Sequence, residues 1–111
     1  MIRVLLSLDL IDSEDQRDDF YAFLKKKKWQ KTNDVDTVWT LQYSKLDPEE
    51  DANYRKIKDN IANTFIEVAT ELNLKKIRYV AQLGNHEVIA RVVRKEENKY
   101  KCFKRKLYSE K

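Results

Sequence analysis

Asp9 is the residue whose setting most clearly suggests chemistry, because its carboxylate stands between Leu8 and Leu10 in a largely apolar segment. A carboxylate in apolar surroundings is unfavourable unless it is solvated, paired or bound to a metal. At a strand end, two such groups across a dimer axis could hold Mg²⁺ or Mn²⁺, and a metal-bound water could attack a phosphodiester. Asp9 is therefore the candidate catalytic and metal-ligating residue. The simpler alternative is that Asp9 ends the strand and caps the following turn, without chemistry.

Two basic segments could bind nucleic acid, because lysine and arginine neutralise phosphates and aromatic rings stack on bases. One is a run of four lysines before a tryptophan, and the other is a basic tail that also contains Tyr100, Phe103 and Tyr108. The candidate nucleic-acid-binding residues are Lys25, Lys26, Lys27, Lys28, Trp29, Arg94, Lys101, Lys104 and Arg105. The alternative is a solvated helix end with tail aromatics docked on the core. Acidic residues at 12–19 would repel phosphates, so a nucleic-acid footprint should avoid them.

Composition excludes most standard catalytic sites. The net charge of +4 permits nucleic-acid binding without requiring it. One histidine, one cysteine and one glycine leave no cysteine-based zinc site, internal disulfide or glycine-rich phosphate loop. The lone thiol, Cys102, fits a reducing compartment. Neither a membrane-spanning segment nor a secretory signal is expected, which favours the cytoplasm and no membrane partner.

The elements that must position these residues begin with a strand over residues 2–10, where apolar side chains alternate with Arg3, Leu5, Ser7 and Asp9. Ser13 is a suitable N-cap for a helix over residues 14–28, since acidic residues fill its first turn. A short strand over 29–32, a turn at Asn33 and Asp34, and a strand over 35–44 should follow.

A second helix should begin near Pro48 and end at Asn73. Its apolar residues are spaced three and four apart, at Tyr54, Ile57, Ile61, Phe65, Val68 and Leu72. Residues 77–83 and 87–93 then predict a hairpin turning at Gly84 and Asn85. The basic tail should form a short docked helix or remain loose.

The predicted fold is α+β: a ferredoxin-like two-layer sandwich of order β-α-β-β-α-β-β, with two helices on one face of an antiparallel sheet. Residues 1–94 would form this domain and residues 95–111 a basic C-terminal extension. The face without helices, carrying Leu5 and either Trp39 or Val38, should be covered by the tail or by a second copy of the chain.

Over residues 1–94 this pattern resembles the small CRISPR-associated adaptation protein and its relative, virulence-associated protein D. Leu8-Asp9-Leu10 approximates the family's Tyr-Asp-hydrophobic motif without its tyrosine, and Thr37-Val38-Trp39 stands where the family often has Ser-Val-Phe. The resemblance implies a ferredoxin-like homodimer. It also implies that Asp9 serves a metal-dependent nuclease, or that the dimer holds DNA without catalysis.

Three functions therefore remain open. The first is a nucleic-acid-associated dimer, with or without Mg²⁺- or Mn²⁺-dependent endonuclease activity at Asp9. The second is a non-catalytic interaction or inhibitor protein, of the kind encoded by phages and mobile elements, that binds a protein partner through charged surfaces. The third is a regulatory domain that binds a small ligand on the open sheet face.

Overall fold

The first strand defines the two faces of the sheet. In the computed structural model, which describes residues 1–33, 35 and 37–108, β1 spans Ile2–Ile11 and alternates between buried and exposed side chains. The exposed set includes Arg3, Leu5, Ser7 and Asp9, as the period of two predicts. Asp9 lies inside the strand rather than at its end, so it caps no turn.

Within the described residues, six strands form one antiparallel sheet in the order β2-β3-β1-β4-β5-β6, and two helices pack on it. The chain is therefore an α+β protein. The remaining elements are α1 (Arg17–Lys26), β2 (Gln30–Lys31), β3 (Val38–Tyr43), α2 (Asp51–Leu72), β4 (Lys76–Leu83), β5 (Ile89–Glu96) and β6 (Lys99–Lys104).

The starts of both helices differ from the prediction. A 3-10 turn, Glu14–Gln16, precedes α1, and the Ser13 hydroxyl accepts a hydrogen bond from the Lys75 backbone N–H at 3.0 Å instead of capping the helix. The helix α2 begins at Asp51, three residues after Pro48. Its predicted end is confirmed, because Asn73 adopts the left-handed conformation that terminates helices.

The core lies between the helices and one face of the sheet. Phe65 of α2 packs at its centre, with its ring 5.3 Å from that of Trp29 and 4.6 Å from that of Tyr79. Trp39 is fully buried on this side, whereas its neighbour Val38 belongs to the other face. The apolar stripe predicted for the second helix is thus what joins α2 to the sheet.

The basic tail contributes a strand, which corrects the expectation of a short helix or a loose segment. Residues 99–104 form β6, which pairs with β5 from Arg91↔Lys104 to Glu96↔Lys99. The Tyr100 hydroxyl donates a hydrogen bond to the Leu74 carbonyl at 2.7 Å, so the strand also attaches to the end of α2.

The predicted turn at Asn33 and Asp34 cannot be compared with the structure, because Asp34 lies outside the described residues.

Neither α1 nor α2, within the described ranges, has the length and apolar character needed to span a membrane.

Candidate nucleic-acid interface

The face of the sheet opposite the helices, called the open face below, carries its side chains in rows across the strands. Residues directly opposite one another in an antiparallel pair point to the same face. The register aligns Lys76, Arg94 and Lys101 in one row, which begins at Ile11 of β1. The adjacent row holds Asp9, Arg78, Val92 and Phe103.

Basic residues exceed acidic ones on this face. Its strand positions hold Arg3, Lys76, Arg78, Arg94, Lys99 and Lys101, against Asp9 and Glu96. Most of this charge is concentrated at the β4-β5-β6 end. There the Arg94 guanidinium lies 4.1 Å from the centre of the Phe103 ring and 3.3 Å from the Glu96 carboxylate. A cationic surface with an aromatic ring at its rim can bind a polyanion that carries flat bases.

The centre of the open face is apolar and its far end is polar. Leu5 is 51% exposed. Ser7, the next residue of β1 on this face, lies between Val38 of β3 and Val80 of β4. Beyond Leu5 lies a shallow depression of about 850 Å³. Its lining includes Arg3, Lys28, Gln30, Thr40, Gln42 and Gln82. The amide groups of the three glutamines and the hydroxyl of Thr40 can both donate and accept hydrogen bonds.

The structure separates the four lysines of the predicted site. Lys28 borders the depression on the open face, and Lys25 and Lys28 together line a neighbouring hollow beside β2. Lys27 faces α2 instead, where its ammonium lies 3.1 Å from the Glu67 carboxylate. Lys26 is exposed in the last turn of α1. Of the run, Lys28 therefore borders the open face, and Lys25 lies at the adjoining edge of the sheet beside β2.

Trp29, predicted to stack on a base, is buried with 4% of its surface exposed. Its ring meets that of Phe65 edge to face, at an interplanar angle of 88°. Base stacking needs an accessible ring face, which the core occupies here. Among the aromatic residues of the basic tail, Tyr108 is 80% exposed, whereas Tyr100 and Phe103 are half-buried.

The predicted basic residues of the tail fall on different surfaces. Arg94 and Lys101 pair directly on the open face. Lys104 pairs with Arg91, on the opposite side of the sheet. Arg105 follows β6, and its backbone N–H and side-chain Nε donate hydrogen bonds to the carbonyls of Ala90 and Arg91. Only part of the predicted set can therefore contact one ligand.

Asp9 is exposed on the open face, directly opposite Arg78 of β4. Among the described residues, no group of three or more His, Cys, Asp or Glu side chains is placed to hold a metal ion. Because Mg²⁺ takes about six ligands, one carboxylate beside a cationic neighbour does not by itself make a site. Metal binding at Asp9 stays a prediction that requires a second carboxylate from another copy of the chain.

Sequence reasoning missed Lys76 and Arg78, which contribute to the basic end of the open face. Both lie within an unremarkable strand pattern, and their position depends on β4 pairing with β1 and β5. A period of two does separate Lys76 and Arg78 from the core residues Ile77 and Tyr79, so their exposure could have been read from the sequence. Their proximity to Arg94 and Lys101 could not.

Comparison of the chain with protein-family models, curated proteins and solved structures finds no match.

Proposed function

We propose that the protein binds single-stranded nucleic acid on the open face of its sheet. The observation that carries the proposal is the row of Lys76, Arg94 and Lys101, with Arg78 and Phe103 in the next row. The cations would contact successive phosphates, and Phe103 would offer a ring to a base. This is binding with little sequence preference, because phosphates and ring faces are common to all nucleotides.

The strand order supports a finer assignment of the fold. The four strands β2-β3-β1-β4, with α1 after β1 and α2 after β3, are compatible with a ferredoxin-like sandwich. We propose that these four strands and the two helices form a ferredoxin-like unit and that β5 and β6 extend it at one edge. The extension adds Arg94, Lys101 and Phe103 to the open face, so it would enlarge the basic end that Lys76 and Arg78 of β4 begin.

Fluorescence anisotropy with labelled single-stranded RNA and DNA, over a series of salt concentrations, tests the proposal. The informative variant is the triple Arg78→Gln, Arg94→Gln and Lys101→Gln. Each phosphate contact on a single strand contributes about 0.7 to the slope of log affinity against log salt. We expect the triple variant to reduce that slope by about 2 and to weaken binding at least tenfold at low salt.

A matched control removes the same net charge elsewhere. Arg17, Lys45 and Lys56 are exposed and lie outside the strands, so Arg17→Gln, Lys45→Gln and Lys56→Gln should leave most of the affinity intact. Equal losses in the two triple variants would mean that net charge, not the open face, governs binding. Absence of binding by the wild-type protein at low salt would remove the proposal.

The same samples test catalysis at Asp9. They are incubated with Mg²⁺ or Mn²⁺ and, in parallel, with a chelator. Cleavage that needs the metal and disappears in Asp9→Ala would add nuclease activity to binding. Binding without cleavage would leave Asp9 as a charged residue of the interface.

A second candidate function, docking of a protein partner or a second copy of the chain, is favoured by the exposed Leu5 at the centre of the open face. A contact between two proteins has an apolar centre and a polar rim, which this face also offers. Sedimentation equilibrium of wild type and Leu5→Glu separates the candidates. A dimer that Leu5→Glu dissociates would favour docking, and a monomer that still binds oligonucleotides would favour the first proposal.

A further inference from the structure

A cavity of about 320 Å³ lies on the helix side of the sheet, between α2 and the strands β5 and β6. Its floor includes Tyr79 of β4 and Cys102 of β6. This volume is at the lower end of the range typical of small-molecule pockets. The sheet separates it from the open face, so it shares no surface with the interface described above. We call it the helix-side cavity.

Cationic side chains outnumber acidic ones among the residues that line the helix-side cavity. Arg55 and Lys58 come from α2, Arg91 from β5 and Lys104 from β6, while Asp59 is the one acidic residue among its lining residues. Arg91 and Lys104 are cross-strand partners. Like charges placed opposite each other on a sheet repel, and a bound anion relieves that repulsion. The arrangement therefore favours a ligand with at least two negative charges.

The Tyr79 hydroxyl adds a neutral donor at the bottom of the cavity. It lies 3.5 Å from the Cys102 sulfur, which is its hydrogen-bonding neighbour in the structure. Burial of the ring raises the Tyr79 pKa well above its usual range, and contact with Cys102 raises it further. The hydroxyl therefore keeps its proton at neutral pH and can donate it in a hydrogen bond to an oxyanion.

A second cavity of about 330 Å³ adjoins the first, and Lys58 and Ile89 line both. The second cavity is bordered by Tyr54 and His86, whose rings stack 3.4 Å apart, and by Leu83. A ligand with its anionic group among the four cations could thus place an organic part against Leu83 and Tyr54. A small phosphate ester has an anionic end and an organic end, so its chemistry matches the two cavities.

We infer that the helix-side cavity binds the phosphate group of a small phosphorylated molecule, through Arg55, Lys58, Arg91 and Lys104. This site is independent of nucleic-acid binding on the open face. Arginine and lysine at this density match phosphate better than a carboxylate, because phosphate offers more acceptor oxygens and more charge.

Cys102 provides a site-specific readout, since it is the only cysteine in the chain and contributes to the cavity floor. The rate of its alkylation by iodoacetamide, a neutral reagent, is measured in the intact 111-residue chain with increasing pyrophosphate. Ionic strength is held constant with chloride. We expect saturable protection by pyrophosphate, and none from the matching chloride concentration.

Two lysines on opposite faces of β6 provide a test substitution and its matched control. Lys104→Gln removes a cation from the cavity and Lys101→Gln removes one from the open face, with the same change in charge and composition. We expect Lys104→Gln to weaken pyrophosphate protection about tenfold, the usual scale for a charge-assisted hydrogen bond. Lys101→Gln should leave protection unchanged and weaken oligonucleotide binding instead. Asp59→Asn should strengthen protection, because it removes the one carboxylate among the lining residues.

Two results would overturn the inference. One is that pyrophosphate, up to about 10 mM, leaves the rate of alkylation unchanged or slows it without saturation. Such binding would be weaker than the millimolar affinity of a marginal ligand. The other is competition between pyrophosphate and a labelled oligonucleotide, since it would assign the phosphate to the nucleic acid. If Lys101→Gln abolishes oligonucleotide binding while protection persists, the cavity stands on its own. If oligonucleotide binding is absent throughout, only the proposed function fails.

Discussion

The Ser13 hydroxyl links the start of α1 to the chain after α2. It accepts a hydrogen bond from the Lys75 backbone N–H at 3.0 Å, and Ser13 is only 3% exposed. Ser13→Ala should lower the free energy of unfolding by about 1–3 kcal/mol, because it leaves a partly buried N–H without its partner. Urea denaturation measures the change.

The control for this prediction is Ser7→Ala, which makes the same chemical change on the exposed side of β1. Its effect should stay within about 0.5 kcal/mol, as for most surface substitutions. Equal effects of the two substitutions would show that the Ser13 contact adds nothing to stability.

Tyr43 makes stability depend on pH in the alkaline range. Burial raises its pKa to about 12 from the usual 10. Above pH 10 the unfolded chain loses this proton while the folded chain keeps it, so stability is full below pH 10 and falls as the pH rises towards 12. Tyr43→Phe should lower stability at pH 8, because the phenol donates to Asn60 Oδ1 at 2.6 Å, but it should flatten the decline above pH 10.

The measurement is the urea midpoint of wild type and variant at intervals from pH 8 to pH 11. Tyr79 and Tyr100 also have raised pKa values caused by burial, so some decline should remain in Tyr43→Phe. Tyr108→Phe is the control, since that ring is 80% exposed. Parallel curves for wild type and Tyr43→Phe would contradict the prediction.

At the scale of elements, the end of α2 depends on a left-handed residue. Asn73 has φ 53° and ψ 48°, and its backbone N–H bonds to the Ala69 carbonyl. A β-branched side chain is strained in this conformation, so Asn73→Val should cost about 1–2 kcal/mol, whereas Asn73→Gly should be nearly neutral. Thermal unfolding compares these two with Asn63→Val, placed on the exposed surface of α2. If Asn63→Val lowers the unfolding temperature as much as Asn73→Val does, the left-handed backbone at residue 73 is not the cause of the lost stability.

Elements with a strong local period could be predicted from the sequence. The alternation in β1 assigned Leu6 to the core and Asp9 to the open face, and the spacing of three and four in α2 selected its buried stripe. The strand β6 could not be predicted in this way, because its lysines and aromatics fit a helix as well as an edge strand. What makes it a strand is pairing with β5 and the attachment of Tyr100 to Leu74, which are both tertiary contacts.

The candidate site was only partly predictable for the same reason. Arg94 and Lys101 were selected by composition, and the structure does pair them on one face. Their grouping with Lys76 follows from strand register, whereas the separation of Lys104 from Lys101 follows from the alternation of side chains along β6. Register is decided by which strands meet, and β1 pairs with β4 across more than sixty residues of sequence.

Across the whole molecule, an acidic surface borders a basic one. The exposed acidic residues at 14–19 follow β1, and the bond from Lys75 to Ser13 places their segment beside the start of β4, where Lys76 begins the basic row. The protein measures 39 × 35 × 28 Å. At about 0.01 M salt the Debye length is about 30 Å, so the acidic surface acts on a nucleic acid bound at the neighbouring basic row.

The acidic surface should therefore weaken nucleic-acid binding at low salt without any contact. Asp15→Asn, Asp18→Asn and Asp19→Asn together should raise oligonucleotide affinity severalfold at about 0.01 M salt. The gain should disappear at about 0.15 M, where the Debye length is about 8 Å. Anisotropy titrations at both salt concentrations measure it, with Glu49→Gln, Glu50→Gln and Asp51→Asn as a control of equal charge at the start of α2. A gain that persists at the higher salt would mean that the acidic residues contact the nucleic acid, which would move the footprint away from the open face.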